Sequence, residues 1–258
     1  MNVLSLFSGI GGLDLAAEWA GMQTVAFCER DKFCQKVLAK HWPGVPCFDD
    51  VKTLKGSDIH APVEIIAGGY PCQPFSTAGN RRGEADERHM WPHMLRVVRE
   101  LKPRWVVGEN VKGHITLGLD TVCNDLENEG YTVRAVCIPA CAIGAVHRRE
   151  RVFILANSSS DGRDESKATG SDVSANDAWR EKEPQENCEH EGRGSFRLAM
   201  DWRGEAIGGW GVEPPAIRVD AGLPNRMDRN RVVGNSVSPH QAYPIFQAIM
   251  DIERVLRP

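Results

Sequence analysis

The sequence lacks the features of membrane-spanning proteins, of zinc-binding proteins and of strongly basic nucleic-acid binders. No apolar run approaches the roughly 18 residues that a membrane-spanning helix needs, so we expect no membrane partner. The eight cysteines include no Cys-x-x-Cys pair, which argues against a structural zinc site, and we expect no bound metal. The formal net charge of −4 excludes a wholly basic nucleic-acid binder, although a local basic groove remains compatible with it.

The N-terminus also lacks the marks of a secretion signal. Residues 1–7 contain no basic side chain, and the chain becomes glycine-rich immediately afterwards, which is too early for a signal peptide. We therefore expect a cytoplasmic protein whose cysteines are reduced thiols. Its 258 residues are enough for one core with a small appended lobe.

Short apolar runs alternate with helical patterns through the first 156 residues. The runs predict strands at residues 3–7, 24–28, 63–67, 105–108, 132–137 and 151–156. Amphipathic patterns predict helices at residues 13–19, 33–41, 92–101 and 239–256. This alternation is typical of βαβ units. We therefore expect an α/β fold with a Rossmann-like, mostly parallel sheet and helices on both of its faces.

The composition changes sharply at Asn157. From there to about residue 221 the sequence is polar, acidic and weakly periodic, as in long functional or disordered loops. We predict that residues 1–156 and 222–258 form one domain. Residues 157–221 would be a short, partly disordered insert that forms a small irregular lobe.

One cysteine stands in a setting that is unsuited to core packing. Cys72 lies between Pro71 and Pro74, after two glycines and the predicted strand at 63–67. The prolines prevent a helix or a sheet ladder from continuing through the cysteine. Because open α/β sheets place their chemistry just past strand ends, we interpret Cys72 as a candidate nucleophile.

A second predicted strand brings a carboxyl group to the same edge of the sheet, since it ends in Glu109. A thiolate beside a carboxylic acid suits covalent attack on an electron-poor ring whose nitrogen gains a proton. A cysteine hydrolase is an alternative. It would need a histidine base, however, and His89, His93 and His114 stand in no motif.

The first predicted strand runs into a glycine-rich turn, SGIGG at residues 8–12, and then into a helix. Such a turn lets the backbone approach a bound nucleotide closely. Its spacing differs from the Gly-x-Gly-x-x-Gly of dinucleotide binders. Glu29 ends the second strand, where an acidic side chain can accept hydrogen bonds from both ribose hydroxyls. These features predict an adenosine-containing ligand without a pyrophosphate.

Five motifs occur in the order in which one enzyme family carries them. They are FSGIGG at 7–12, GYPCQPFS at 69–76, ENV at 109–111, RER at 149–151 and GNSV at 234–237. The chain thus resembles the DNA (cytosine-5)-methyltransferases of bacteria and phages. The resemblance covers about residues 1–156 and 222–258.

The resemblance implies methyl transfer from S-adenosylmethionine to C5 of a cytosine that is flipped out of double-stranded DNA. Cys72 would attack C6 of the base while Glu109 protonates N3. Arg149 and Arg151 would hold the flipped base. The insert at 157–221 would be the target-recognition region.

The resemblance also implies two sets of binding residues. The residues expected to line the cofactor pocket are Phe7, Ser8, Gly9, Ile10, Gly11, Gly12, Glu29, Arg30, Asp50, Val51, Gly69, Pro71, Trp91, Asn235, Ser236 and Val237. The residues expected to contact DNA, in a loop that would act as a lid, are Gln73, Ser76, Arg81 and Arg82.

Two further hypotheses from outside DNA methylation remain open. A tRNA (cytosine-5)-methyltransferase would use the same catalytic set, although the insert lacks the cysteine signature typical of such enzymes. A binding module would keep the fold without catalysis. For the favoured hypothesis we expect a monomer in a bacterial or phage-infected cell, with a cognate restriction endonuclease as partner in a restriction–modification system.

Overall fold

Seven strands form one sheet in the part of the chain that the computed structural model describes, residues 1–71, 90–145, 148–158 and 236–257. The strands are β1 (Asn2–Leu6), β2 (Gln23–Cys28), β3 (Cys47–Phe48), β4 (Ile65–Gly68), β5 (Trp105–Val111), β6 (Tyr131–Pro139) and β7 (Glu150–Ser158). Their order across the sheet is β3-β2-β1-β4-β5-β7-β6. Of these strands, β7 alone runs in the opposite direction to the other six. The prediction of a mostly parallel sheet is therefore confirmed.

Helices cover both faces of this sheet. They are α1 (Gly12–Trp19), α2 (Lys32–His41), α3 (Trp91–Leu101), α4 (His114–Leu117), α5 (Leu119–Asn128) and α6 (Pro239–Leu256). Side chains of α3 and α5 belong to the hydrophobic cluster on one face. Side chains of α1 and α6 belong to the cluster on the other face. The predicted arrangement of helices on both faces is confirmed as well.

Strand β1, an inner strand of the sheet, is buried on both faces. Leu4 and Leu6 pack into the cluster with α3 and α5, whereas Val3 packs into the cluster with α1 and α6. Successive side chains of a strand point to opposite faces. A continuous apolar run is therefore the sequence that such a strand requires.

A buried carboxyl group ties α1 to the first two strands. Asp14 is 1% exposed and accepts hydrogen bonds from Ser5 Oγ and Thr24 Oγ1, each at 2.9 Å. Burial raises the pKa of Asp14 to about 6, although the two hydroxyl groups lower it. These hydrogen bonds fix the start of α1 directly behind the turn that follows β1.

The strand order changes direction between β1 and β4, because β2 and β3 lie on one side and β5 lies on the other. Loops diverge at such a point, and open α/β sheets bind ligands there. Leu6 pairs with Gly68, and Gly68 pairs with Gly108. The strand that leads to Cys72 and the strand that carries Glu109 thus reach the same edge, as predicted.

Some elements differ from the sequence-based predictions. The prediction that a strand ends at Glu109 is wrong, because β5 pairs with β7 as far as Val111. Strand β7 itself extends to Ser158. No helix was predicted between β5 and β6, yet α5 lies there and buries Val122 and Leu126.

Part of the predicted site lies outside the described residues. This part comprises Cys72, Gln73, Ser76, Arg81, Arg82 and Asn235, together with all but the first two residues of the predicted insert.

Candidate active site

Three residues with positive φ shape the turn after β1. They are Phe7 at 54°, Gly9 at 56° and Gly11 at 85°. Glycine adopts this conformation readily, whereas a residue with a side chain such as Phe7 is strained there. The turn is closed by a hydrogen bond from Gly11 N–H to Ser8 O of 2.9 Å. Strain of this kind is often retained at functional sites.

Glu29 binds this turn from the end of β2. Its Oε2 atom accepts the N–H of Gly9 and its Oε1 atom accepts the N–H of Asp31, both at 2.7 Å. Asp31 is the N-cap of α2, so Glu29 connects the glycine turn with the start of that helix. Each carboxylate oxygen retains a further lone pair. The predicted contact of Glu29 with ribose hydroxyls is therefore compatible with these bonds and stays a prediction.

Trp42 packs against the same turn, a contact that sequence patterns did not reveal. A Cβ atom at Gly11 would lie 2.5 Å from two carbon atoms of the indole ring. The ring also contacts Phe27 edge-on, with 5.6 Å between the centroids. Gly11 is therefore required both by its φ angle and by the space that Trp42 occupies.

The segment after β3 lies next to Glu29, whose N–H donates to Phe48 O at 2.9 Å. Asp50 accepts the N–H of Lys52 at 2.9 Å and so stabilises the turn that follows. Val51 is buried in the core. The structure therefore brings the predicted residues Glu29 and Asp50 to neighbouring strand ends.

Ser236 and Val237, just before α6, meet three other parts of the chain. A Cβ atom at Gly12 would lie 2.3 Å from Val237 O, and one at Gly69 would lie 3.8 Å from Val237 Cγ2. Arg149 Nη2 donates to Ser236 O at 2.5 Å. The glycine turn, the end of β4 and the start of β7 therefore converge on these two residues.

Gln241 supports this arrangement from α6 and was not predicted from the sequence. Its Nε2 atom donates to Ile138 O at 2.8 Å and to Arg149 O at 2.9 Å. The backbone of Arg149 is thereby held against α6.

Glu109 is 7% exposed, and its Oε1 atom lies 2.9 Å from Nε of Arg151. A Cβ atom at Gly69 would lie 3.0 Å from Glu109 Oε2. Burial raises the pKa of Glu109 to about 7, although the positive charges of Arg151 and Arg149 lower it. This carboxyl group can therefore carry a proton near neutral pH.

Trp91, the first residue of α3, is buried in the core. Its indole N–H donates to Asp125 Oδ2 at 2.7 Å, and its ring lies 5.2 Å from that of Tyr70. Its predicted contact with the methionine part of the cofactor stays a prediction. Among the other predicted residues, Ile10 is half-buried, while Arg30 and Pro71 are exposed.

The described residues contain no group of three or more histidine, cysteine, aspartate or glutamate side chains that could hold a metal ion. Within the same ranges, none of the helices has both the length and the apolar character to span a membrane.

The family model for C-5 cytosine-specific DNA methylases matches residues 1–195. The chain belongs to this family. The type II methyltransferase M2.BsuMI of Bacillus subtilis is 34% identical over 173 residues, which make up 64% of this chain and 44% of that protein. The type II methyltransferase M.AquIA of a Picosynechococcus species is 34% identical over 177 residues, or 60% of this chain and 71% of that protein.

A solved structure of a family relative agrees with these sequence matches. It is a candidate DNA modification methyltransferase encoded within an Escherichia coli prophage, with 29% identity and a TM-score of 0.54. The match covers 61% of this chain and 47% of that one. The chain described here spans less than half the length of the first curated relatives that it matches.

The contact between Gly12 and Val237 O predicts that Gly12→Ala destabilises the protein. The added Cβ atom would overlap a backbone oxygen, and relief of such overpacking typically costs about 1–3 kcal/mol. Gly113→Ala is the matched control, because a Cβ atom there meets nothing within 4 Å. Urea unfolding of both variants measures the free energies, and equal stabilities would contradict the described contact.

Proposed function

We propose that this protein transfers a methyl group from S-adenosylmethionine to C5 of a flipped-out cytosine in double-stranded DNA. The observation that carries the proposal is the buried, raised-pKa carboxyl group of Glu109. It lies against Gly69, three residues before Cys72, in a chain that belongs to the C-5 cytosine-specific DNA methylase family.

In the proposed reaction the Cys72 thiolate adds to C6 of cytosine, and N3 gains the proton of Glu109. Electron density then increases at C5, which becomes the nucleophile. Methyl transfer to C5 would release S-adenosylhomocysteine. The C5 proton then passes to solvent, the Cys72 thiolate leaves C6 and N3 returns its proton to Glu109, which restores the aromatic ring. The protonated state of Glu109 near pH 7 suits its role as general acid. The base must leave the DNA stack for these groups to reach it.

Arg151 has two roles in this proposal. It orients the Glu109 carboxyl group through their 2.9 Å ion pair, and with Arg149 it holds the flipped base. Because Arg151 contacts Glu109 directly and would also contact the base, we assign it to the catalytic set together with Cys72, Glu109 and Arg149.

The turn after β1 has the properties expected of a site for S-adenosylmethionine. A Cβ atom at Gly9 would meet nothing within 4 Å, so this backbone borders open space. The carboxylate of Glu29, bound to Gly9 N–H, provides acceptors suited to ribose hydroxyls. We propose that the residues predicted for the cofactor pocket, from Phe7 to Val237, hold the cofactor. When bound, it supplies the electrophilic methyl group.

The remaining parts of the proposal extend beyond the described residues. The loop with Gln73, Ser76, Arg81 and Arg82 would contact DNA. The first two residues of the predicted insert at 157–221 belong to β7, so we propose that residues 159–221, which separate the two parts of the catalytic domain in the sequence, recognise the target. Type II methyltransferases among the relatives support a role in restriction–modification. We propose a monomer that acts in the cytoplasm of a bacterial or phage-infected cell, alongside a cognate restriction endonuclease.

The carboxyl group of Glu109 predicts a pH dependence of activity. Its pKa of about 7 means that the acid form is lost as the pH rises through that value, so kcat/KM for methyl transfer should decrease above it. Glu109→Gln removes the proton donor and should lower kcat/KM by about 10²–10⁴-fold. The measurement is transfer of tritiated methyl groups to duplex DNA across a pH series.

Glu129→Gln is the control for this experiment, because Glu129 forms a surface ion pair with Arg99, and such pairs contribute little. It should behave as the wild type. A Glu109→Gln enzyme that retained activity within threefold of the wild type would contradict the assigned role of the acid.

The role of Cys72 predicts that Cys72→Ala abolishes methylation in cells. Bisulfite sequencing of genomic DNA from a bacterium expressing each protein would show methylated cytosines for the wild type and none for the variant. Cys137→Ala removes an exposed thiol of β6 and should leave methylation intact. Methylation that persists in Cys72→Ala would contradict the mechanism. Methyl transfer to bulk tRNA but not to DNA would instead support the tRNA hypothesis.

A further inference from the structure

Tyr70, two residues before Cys72, is held by the segment that carries Glu109. Its hydroxyl group lies 2.8 Å from Nε2 of His114, in a buried hydrogen bond. Its backbone oxygen accepts Nδ2 of Asn110 at 3.1 Å. A Cβ atom at Gly108 would lie 3.3 Å from the Tyr70 ring. Tyr70 is thus bound or packed at three points by one short stretch of chain.

His114 is itself held in place. It is the first residue of α4 and is 8% exposed. A Cβ atom at Gly118 would lie 3.1 Å from Cε1 of His114, so the imidazole ring packs closely against that glycine. The rings of Tyr70 and His114 meet edge-on, with 5.4 Å between the centroids. The imidazole is therefore a well-defined partner for the phenol.

We propose that His114 is a positioning residue that acts through the Tyr70 hydroxyl group. It holds Tyr70, and with it the chain that leads to Cys72, in a fixed position relative to Glu109. This inference rests on the proposed function, in which Cys72 and Glu109 act on the same cytosine ring. His114 itself touches none of the reacting atoms.

The chemistry explains why such a connection is needed. Attack at C6 and protonation at N3 take place on one small ring, and a misplacement of about 1 Å can cost on the order of 10²-fold in rate. The thiol follows β4 in the chain, whereas the carboxyl group lies in β5. Catalytic groups need supporting residues whose own positions are locked by hydrogen bonds and packing. The bond between Tyr70 and His114 supplies this support, because it joins the segment after β4 to the segment after β5.

The hydrogen bond between Tyr70 and His114 contributes more than the volume of the two side chains. A phenylalanine at position 70 would occupy nearly the same volume against Trp91 and Gly108, but it would leave Nε2 of His114 without its partner. Burying a polar group unpaired is unfavourable. A paired phenol and imidazole, in contrast, constrain direction as well as distance.

The test compares Tyr70→Phe, His114→Phe, the double variant and His114→Gln. The amide of glutamine extends to about the position of Nε2, so His114→Gln should rescue the bond. Methyl-transfer kinetics should show kcat reduced about 10–100-fold in both phenylalanine variants, with KM for S-adenosylmethionine unchanged. The double variant should be no slower than either single one, since both remove the same bond. His114→Gln should stay within about threefold of the wild type.

Hydrogen exchange of peptides that contain residues 69–72 provides a readout that does not need activity. Exchange should be faster in Tyr70→Phe and His114→Phe than in the wild type and His114→Gln. Equal exchange in all proteins would overturn the inference, as would an unchanged kcat in both phenylalanine variants. A kcat loss that His114→Gln does not rescue would also overturn it. If the wild type methylates no DNA but the exchange pattern is as expected, the proposed function fails while the positioning of Tyr70 by His114 stands.

Discussion

The site depends on the parallel pairing of β1, β4 and β5, which brings their ends to one edge of the sheet. Leu6 lies opposite Gly68, and Gly68 lies opposite Gly108. Backbone hydrogen bonds therefore set the distances between the glycine turn, the end of β4 and Glu109 before any side chain contributes. Core packing favours this register. A slip of one residue would move every side chain of a strand to the opposite face, where it would meet a different set of helices.

Burial at that edge determines the chemical behaviour of Glu109. In water its carboxyl group would be ionised at neutral pH. Here Arg151 and Arg149 favour the charged form, burial opposes it, and burial has the larger effect. Close packing at Gly12 and Gly69 also maintains this geometry, since side chains there would displace Val237 or Glu109.

Local sequence patterns were sufficient to predict most of the sheet. Apolar runs located its long strands, and the parallel order implied that the strands before Cys72 and around Glu109 end together. Contacts between distant segments were not predictable in this way. Neither Trp42 nor Gln241 stands in a motif, and no pattern links Tyr70 to His114, so only the folded chain reveals what they touch. Helix α5 was missed because its acidic side chains obscure a sparse apolar stripe.

The most direct test of the account is to identify the atom that forms the covalent bond to the base. A DNA duplex with 5-fluorocytosine at the target traps the adduct, because the fluorine atom cannot leave C5 as the proton does. The protein is incubated with this duplex and S-adenosylmethionine, digested with protease and examined by mass spectrometry. The proposed mechanism predicts a DNA adduct on Cys72. An adduct on another residue, or none from an enzyme that methylates the ordinary duplex, would contradict it.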